Sequence, residues 1–296
     1  MNDPFTHVRL PWPDELPRLV AAFPKFPRQK AFSPLVLVAK AGEVERLVGL
    51  AGIMNQIKGV AGLALALQPR YLNDPGAGAL LAAVQQTAAA AGARRLITID
   101  DLRTGNPLVP MLEDNGFTIF RRLEFWMTAL TVIRDRVERV QNRLVATGRA
   151  GRFTAEPLRE DHLPAVEELM AAEHLLEARS ITLSRTESGD GYDPKLSFVV
   201  FAGSRLAGAL LAHRAGAEEV AVEAEAVALP WRGGTGQVHH TLYQACIQAA
   251  SDLNLKNFIY TVDKTGHVDT GRMARRSDSR LLGEGLQLSK AMGSVA

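Results

Sequence analysis

The chain has 296 residues, 47% of them hydrophobic and 22% charged, with a net charge of +2. This ordinary globular composition excludes a mainly disordered, collagen-like or simple coiled-coil chain, and at about 150 residues per domain the length predicts two domains. No apolar run approaches the roughly 18 residues of a membrane span. Met1-Asn2-Asp3-Pro4 opens neither a basic nor an apolar leader, so no signal peptide is expected. The one cysteine, Cys246, rules out an internal disulfide and any multi-cysteine zinc site. A reducing, cytoplasmic setting follows as the natural expectation. The small net charge gives no sign of a nucleic-acid carrier. Residues 1–145 carry +5 and residues 146–296 carry −3, an asymmetry between two halves.

Taken in chain order, the predicted elements occur twice. The first copy opens with Val8-Arg9-Leu10 and an amphipathic stretch, Leu16–Phe23. Strands are predicted at Leu35–Ala39, Leu47–Met54 and Val60–Leu67, then a Gly-rich turn, a helix over Ala79–Ala91 and a buried strand, Arg95–Ile99. Thr131–Thr147 reads as a connecting helix, with a turn at Gly148–Gly151. The second copy opens with Leu158-Arg159 and a helix over Leu163–Leu176. Strands follow at Phe198–Ala202, Leu206–His213 and Val220–Leu229, then a helix over Val238–Leu253 and a strand, Asn257–Val262. Short matches tie the copies together. Asp14-Glu15-Leu16-Pro17 returns as Asp161-His162-Leu163-Pro164, and Arg46-Leu47-Val48-Gly49 as Arg205-Leu206-Ala207-Gly208. Gly76-Ala77-Gly78 returns as Gly234-Thr235-Gly236. The polar stretch Ser180–Lys195 lengthens the second copy. Gly271–Met292, basic and dotted with glycine, reads as an irregular tail.

In both copies a strand runs through a proline-containing turn and Gly-x-Gly into a helix. Glycines let backbone N–H groups converge on a ligand, and a helix N-terminus adds unpaired donors and partial positive charge. That combination is a seat for a pyrophosphate. Neither copy has the fuller Gly-x-Gly-x-x-Gly of a dinucleotide site. Copy one places Asp74 and Pro75 in the turn; the carboxylate repels an anion and proline lacks an N–H. Copy two has Arg232, Gly233 and Gly234 there instead, so it has the better anion seat.

With these residues the chain resembles the GNAT superfamily of acyl-CoA-dependent N-acyltransferases. Leu158-Arg159-Glu160-Asp161-His162-Leu163 is similar to its opening strand and helix. Leu229-Pro230-Trp231-Arg232-Gly233-Gly234-Thr235-Gly236 is similar to its cofactor turn, one residue short. Ala77–Ile99 resembles its helix and following strand, and Asn106 through Leu112-Glu113-Asp114-Asn115-Gly116-Phe117 its Asn…Gly-Phe signature. The resemblance implies an α+β fold of two tandem domains, each a mixed, mostly antiparallel sheet flanked by helices. Residues 1–130 form the first, a degenerate copy; 131–150 connect; 151–296 form the second, which holds the cofactor site. It further implies transfer of an acetyl or other acyl group from acyl-CoA to a small-molecule or peptide amine. Ala228, Leu229, Arg232, Gly233, Gly234, Thr235, Gly236 and Gln237 are the implied acyl-CoA contacts. No metal, nucleic acid or membrane partner is expected, and the oligomeric state stays open.

Acyl transfer to an amine needs a base, an oxyanion donor and an acid for the leaving thiolate. Glu223 and Glu225 lie on the strand before the copy-two turn. Period-2 alternation puts them on one face, opposite Val222 and Ala224, and either is a candidate base. The position of the family's usual acid tyrosine is Leu112 in copy one. Of the four tyrosines, Tyr260, on the strand after the copy-two helix, is a candidate acid that can equally be a core aromatic, in which case solvent protonates the thiolate or the protein is not catalytic. His239 and His240 open that helix. They point about 100° apart and cannot easily share a metal, but one of them can face the cleft. Cys246, between Ala245 and Ile247, reads as a buried structural thiol. Two other functions stay open: a non-catalytic tandem that binds acyl-CoA or a protein, and an aminoacyl transferase of the Fem type, against which the near-neutral charge argues.

Overall fold

The computed structural model describes residues 5–15, 32–57, 59–99, 102–148, 153–172, 181–183, 191–232, 236–264 and 278–292. In chain order the strands and helices begin with β1 (Phe5–Arg9), β2 (Phe32–Ala41), β3 (Val44–Ile57), β4 (Val60–Leu67), α1 (Pro75–Ala90), β5 (Arg95–Thr98) and β6 (Leu102–Arg103). There follow α2 (Leu108–Asp114), β7 (Thr118–Ala129), α3 (Leu130–Ala146), β8 (Ala155–Pro157), α4 (Leu163–Ala172) and β9 (Phe198–Ala202). The last are β10 (Arg205–Gly216), β11 (Glu219–Val227), α5 (Gln237–Asp252), β12 (Asn257–Asp263) and β13 (Arg280–Ala291). The predicted stretch Leu16–Phe23 lies outside the described residues, as does half of Ser180–Lys195. The chain divides into two compact units. Unit 1 is Met1–Arg122 with Glu177–Ser180 and Glu284–Ala296; unit 2 is Leu123–Leu176 with Ile181–Gly283.

In unit 1, β1, β2, β3 and β4 form an antiparallel meander, and β5 joins β4 in parallel. Helix α1 makes the crossover that a parallel pair requires. Its face of Ala77, Leu80, Leu81, Val84 and Ala88 is buried in one core with Leu37, Ala51, Leu63 and Leu96. Next to β5 stands β13, antiparallel, with Ser289 opposite Ile97. Leu288 of that strand is fully buried, and its N–H donates to Thr98 Oγ1 at 3.0 Å. The expected irregular tail is therefore largely a strand. Gly283 and Gly285 interrupt its apolar alternation, which hides the strand in the sequence.

Unit 2 repeats the order. Strands β8, β9, β10 and β11 are antiparallel, and β12 joins β11 in parallel after α5. The strand antiparallel to β12 is the second half of β7, with Trp126 opposite Tyr260. One core, with α5 and the start of α3, holds Leu130, Ile133, Leu210, Val222, Leu242 and Phe258. A second, with α4, holds Val166, Leu169, Met170, Leu211 and Ala224. Each fully buried Leu or Phe contributes about 1.5–3 kcal/mol by its removal from water.

The repeated Arg-Leu-x-Gly has a physical cause. The register slips once at Val48, between Leu37/Gly49 and Val38/Leu47, and once at Ala207, between Leu206/Phe201 and Gly208/Val200. Each slip is a β-bulge, with one extra residue in its strand. The glycine that follows sits where no side chain fits. A Cβ on Gly49 would lie 2.4 Å from Leu67 Cδ2, and one on Gly208 would lie 2.5 Å from Val238 Cγ1 of α5. Gly208→Val is expected to destabilise unit 2 by about 1–3 kcal/mol through overpacking, seen as a lower urea midpoint with an unchanged slope. Leu288→Ala is expected to cost unit 1 about 2–5 kcal/mol, read in the same way.

Candidate active site

The parallel ladder of unit 2 is short. It runs from Glu219/Asn257 to Val222/Tyr260, although β11 continues to Val227 and β12 to Asp263. At the place where it ends, β11 carries a bulge. Leu211 pairs with Ala224 and Ala212 with Val222, which leaves Glu223 as the extra residue. A bulge bends its strand and re-aims the side chains beyond it. The expected alternation, with Val222 and Ala224 on one face, is interrupted here. Val222 lies in the α5 core and Ala224 in the α4 core. Past the bulge Val227 returns to the α5 core, and Glu225 turns to α5 with it.

There Glu225 Oε1 meets His239 Nδ1, from the first turn of α5. Tyr243, one turn further along the same helix face, lies against the same carboxylate. The Glu225 side chain is 16% exposed and that of His239 47%. Burial works against a charged His239 ring. The Glu225 hydrogen bond and charge outweigh it, against a smaller opposing effect of Arg232, and hold the imidazole pKa above its ordinary value. Burial, with the Glu225 charge second, pushes the Tyr243 phenol well up, so it stays protonated. His239 and Tyr243 were legible as an i, i+4 pair on one helix face, a signal the sequence reading did not use.

The other candidates are placed as follows. Glu223 is half-buried at the bulge. Tyr260 is 1% exposed, and its hydroxyl shares a 3.0 Å hydrogen bond with Ser279 Oγ. Burial raises its pKa, against the hydrogen bond from Ser279 and the charge of Arg136. Its ring lies 6.1 Å from that of Phe258, which lies 5.9 Å from that of Tyr243. His240 turns away to Gln141 of α3 at 3.1 Å, and burial lowers its pKa. Cys246 is fully buried among apolar side chains, and burial pushes its thiol far up, as befits a structural residue.

After β11, Leu229–Trp231 make a single 3-10 turn. The Ala228 N–H donates to Ala207 O at 2.9 Å, and Arg232 Nε donates back to Val227 O at 2.8 Å. Gly233, Gly234 and Thr235 lie outside the described residues. Gly236 caps α5 in the left-handed region, at φ 64°, with no acidic residue in the first turn. Among the described residues a Cβ there would meet nothing within 4 Å. Unit 1 differs at the matching place. Asp74 caps α1, and its Oδ1 accepts from the Gly76 N–H and from Thr6 Oγ1, both at 2.7 Å. A Cβ on Gly76 would lie 2.4 Å from Thr6 Oγ1. The helix N-terminus of unit 1 already holds its own carboxylate; among the described residues no side chain caps that of unit 2. β4, the counterpart of β11, pairs with β3 with the extra residue in β3, at Asn55.

No protein-family model matches the chain, and no curated protein matches it in sequence. Among the described residues no helix is long and apolar enough to cross a membrane. Solved structures match over nearly all of it. A GCN5-related N-acetyltransferase from Sphaerobacter thermophilus is 15% identical with a TM-score of 0.55, over 97% of this chain and 96% of that one. Another from Anabaena variabilis is 10% identical with a TM-score of 0.57, over 98% and 73%. A third from Kribbella flavida is 12% identical with a TM-score of 0.57, over 98% and 71%. The likeness is one of fold: the chain adopts the fold of the GCN5-related N-acetyltransferases, the GNAT fold.

Proposed function

We propose that this chain is an acyltransferase that moves an acetyl or other acyl group from acyl-CoA to a small-molecule or peptide amine, in the cytoplasm. The observation that carries this reading is the opening of the β11/β12 ladder after Val222/Tyr260, at the Glu223 bulge and beside the glycine-capped start of α5. In this reading residues 151–296 hold the working copy, apart from the end of the last strand, which residues 284–291 give to unit 1. Residues 1–130 are the structural copy, its anion seat filled by Asp74, and 131–150 connect them.

Acyl-CoA supplies an activated thioester when bound. Gly233, Gly234, Thr235, Gly236 and Gln237 offer backbone N–H groups to its pyrophosphate, and Arg232 adds positive charge. Ala228 and Leu229 line the approach along the end of β11. Backbone N–H groups of β11 beyond the ladder suit the task of stabilising a developing oxyanion. Glu223, and Glu225 together with the His239 it holds, are the candidates to take up acceptor protons, and Tyr260 is the candidate donor of a proton to the leaving sulfur.

The Gly234→Asp/Gly236→Asp double variant is expected to fold and to lose CoA binding in titration calorimetry, since it sets carboxylates against the pyrophosphate as Asp74 does in unit 1. Normal CoA binding by that variant would overturn the seat assignment. Tyr260→Phe keeps the buried ring. It is expected to lower kcat on the order of 100-fold while leaving KM for acetyl-CoA within about twofold; a changed KM with unchanged kcat would remove Tyr260 from the chemistry. Stabilisation by acetyl-CoA with no turnover across an amine panel would replace the enzyme by a binding protein.

A further inference from the structure

We infer that His239 is the general base of unit 2 and that Glu225 acts through it as a positioning residue, an inference that rests on the acyl-transfer reading above. The Glu225 carboxylate is already engaged. Its Oε1 meets His239 Nδ1, and the Tyr243 phenol lies against the same group. A carboxylate held from two sides in a half-buried place is poorly free to swing toward an incoming amine. The histidine it holds is not. A carboxylate accepts hydrogen bonds, so it fixes the proton of a neutral imidazole on Nδ1 and leaves the lone pair on Nε2. Among the described residues Nε2 of His239 has no partner, and the ring is 47% exposed. It stands beside the segment of β11 that has left the ladder, two residues past the bulge. This is the base–orienter geometry that a triad generalises.

The step balances simply. An acceptor ammonium breaks one N–H bond and an H–Nε2 bond forms. The amine keeps the electron pair, and Glu225 offsets the imidazolium charge. Over the whole transfer a C–S bond breaks and a C–N bond forms. The ammonium loses two protons; one ends on the departing sulfur, and the other passes from His239 to water.

The charges that face the ring are Glu225 from β11 and Arg232 from the turn. Tyr243 of α5 is neutral and meets Glu225, and His240 is turned to Gln141 of α3. Glu225 prevails over burial and Arg232, so the neutral, proton-accepting ring predominates only above a raised pKa. The acid limb of kcat/KM then lies above the ordinary histidine range of about 6.5, and removing the Glu225 charge moves it down.

The test uses the full chain, acetyl-CoA and a panel of primary amines (alkyl diamines, arylethylamines and lysine peptides), with thiol release as the readout. His239→Gln is expected to lower kcat by about 100-fold, with KM for acetyl-CoA within about twofold. Added imidazole should restore part of the activity of His239→Ala, a rescue that a merely structural role would not give. Glu225→Gln is expected to lower kcat, because the tautomer and the imidazolium lose their support, and to displace the acid limb of the remaining activity to lower pH. Wild-type turnover in both His239 variants, or an unmoved limb in Glu225→Gln, overturns this inference and leaves the acyltransferase standing. A wild-type chain that acylates no amine of the panel overturns the acyl-transfer reading and this inference with it.

Discussion

Beyond Val222 and Tyr260 the two parallel strands of unit 2 stop exchanging hydrogen bonds, and the candidate site depends on that break. A sheet gives up ladder bonds only where something compensates. Here the bulge at Glu223 bends β11 and keeps its other edge paired with β10. The same extra residue reverses the faces beyond it, which is why Glu225 reaches α5 at all. Helix α5 can lie close enough to meet it because Gly208 presents no side chain to Val238 and Leu242. Bulge, glycine and helix thus form one arrangement, and none of the three makes the site alone.

The two units show two ways of starting the same helix. Each ends its fourth strand in a 3-10 turn and starts a 16-residue helix. In unit 1 a carboxylate caps the helix and a threonine braces the carboxylate. In unit 2 the cap is a glycine with φ of 64°, and among the described residues nothing lies within 4 Å of a Cβ built on it. A helix N-terminus must satisfy its N–H groups somehow. Unit 1 satisfies one internally and gains a firm local structure; among the described residues no side chain does so in unit 2.

Much of this was legible in the sequence, because the repeat encodes geometry. Arg-Leu-x-Gly marks a bulge and the glycine behind it, and Asp74-Pro75 announces a self-capped helix. β4 was placed to the residue, and α3, predicted over Thr131–Thr147, spans Leu130–Ala146. The bulge at Glu223 was not legible. Only one extra residue signals it: the offset between the copies steps from 159 at Val60/Glu219 to 160 at Leu67/Val227. Simple alternation therefore misread Val222 and Ala224, and the Glu225–His239 meeting was hidden with it. β13 escaped notice because glycines break its pattern, and because its partner β5 lies nearly 200 residues earlier.

That distant partnership has a consequence for how the chain is made. Residues 284–291 supply a buried strand of unit 1, yet the ribosome reaches them only after the whole of unit 2. Domains usually fold in order of synthesis; here the sheet made first waits, with the edge of β5 unpaired, for the strand made last. An unpaired edge is a template for pairing with another chain. Two growing copies held close on one message would each present that edge while lacking the strand to cover it, so the risk of misassembly falls during translation, before any finished molecule exists.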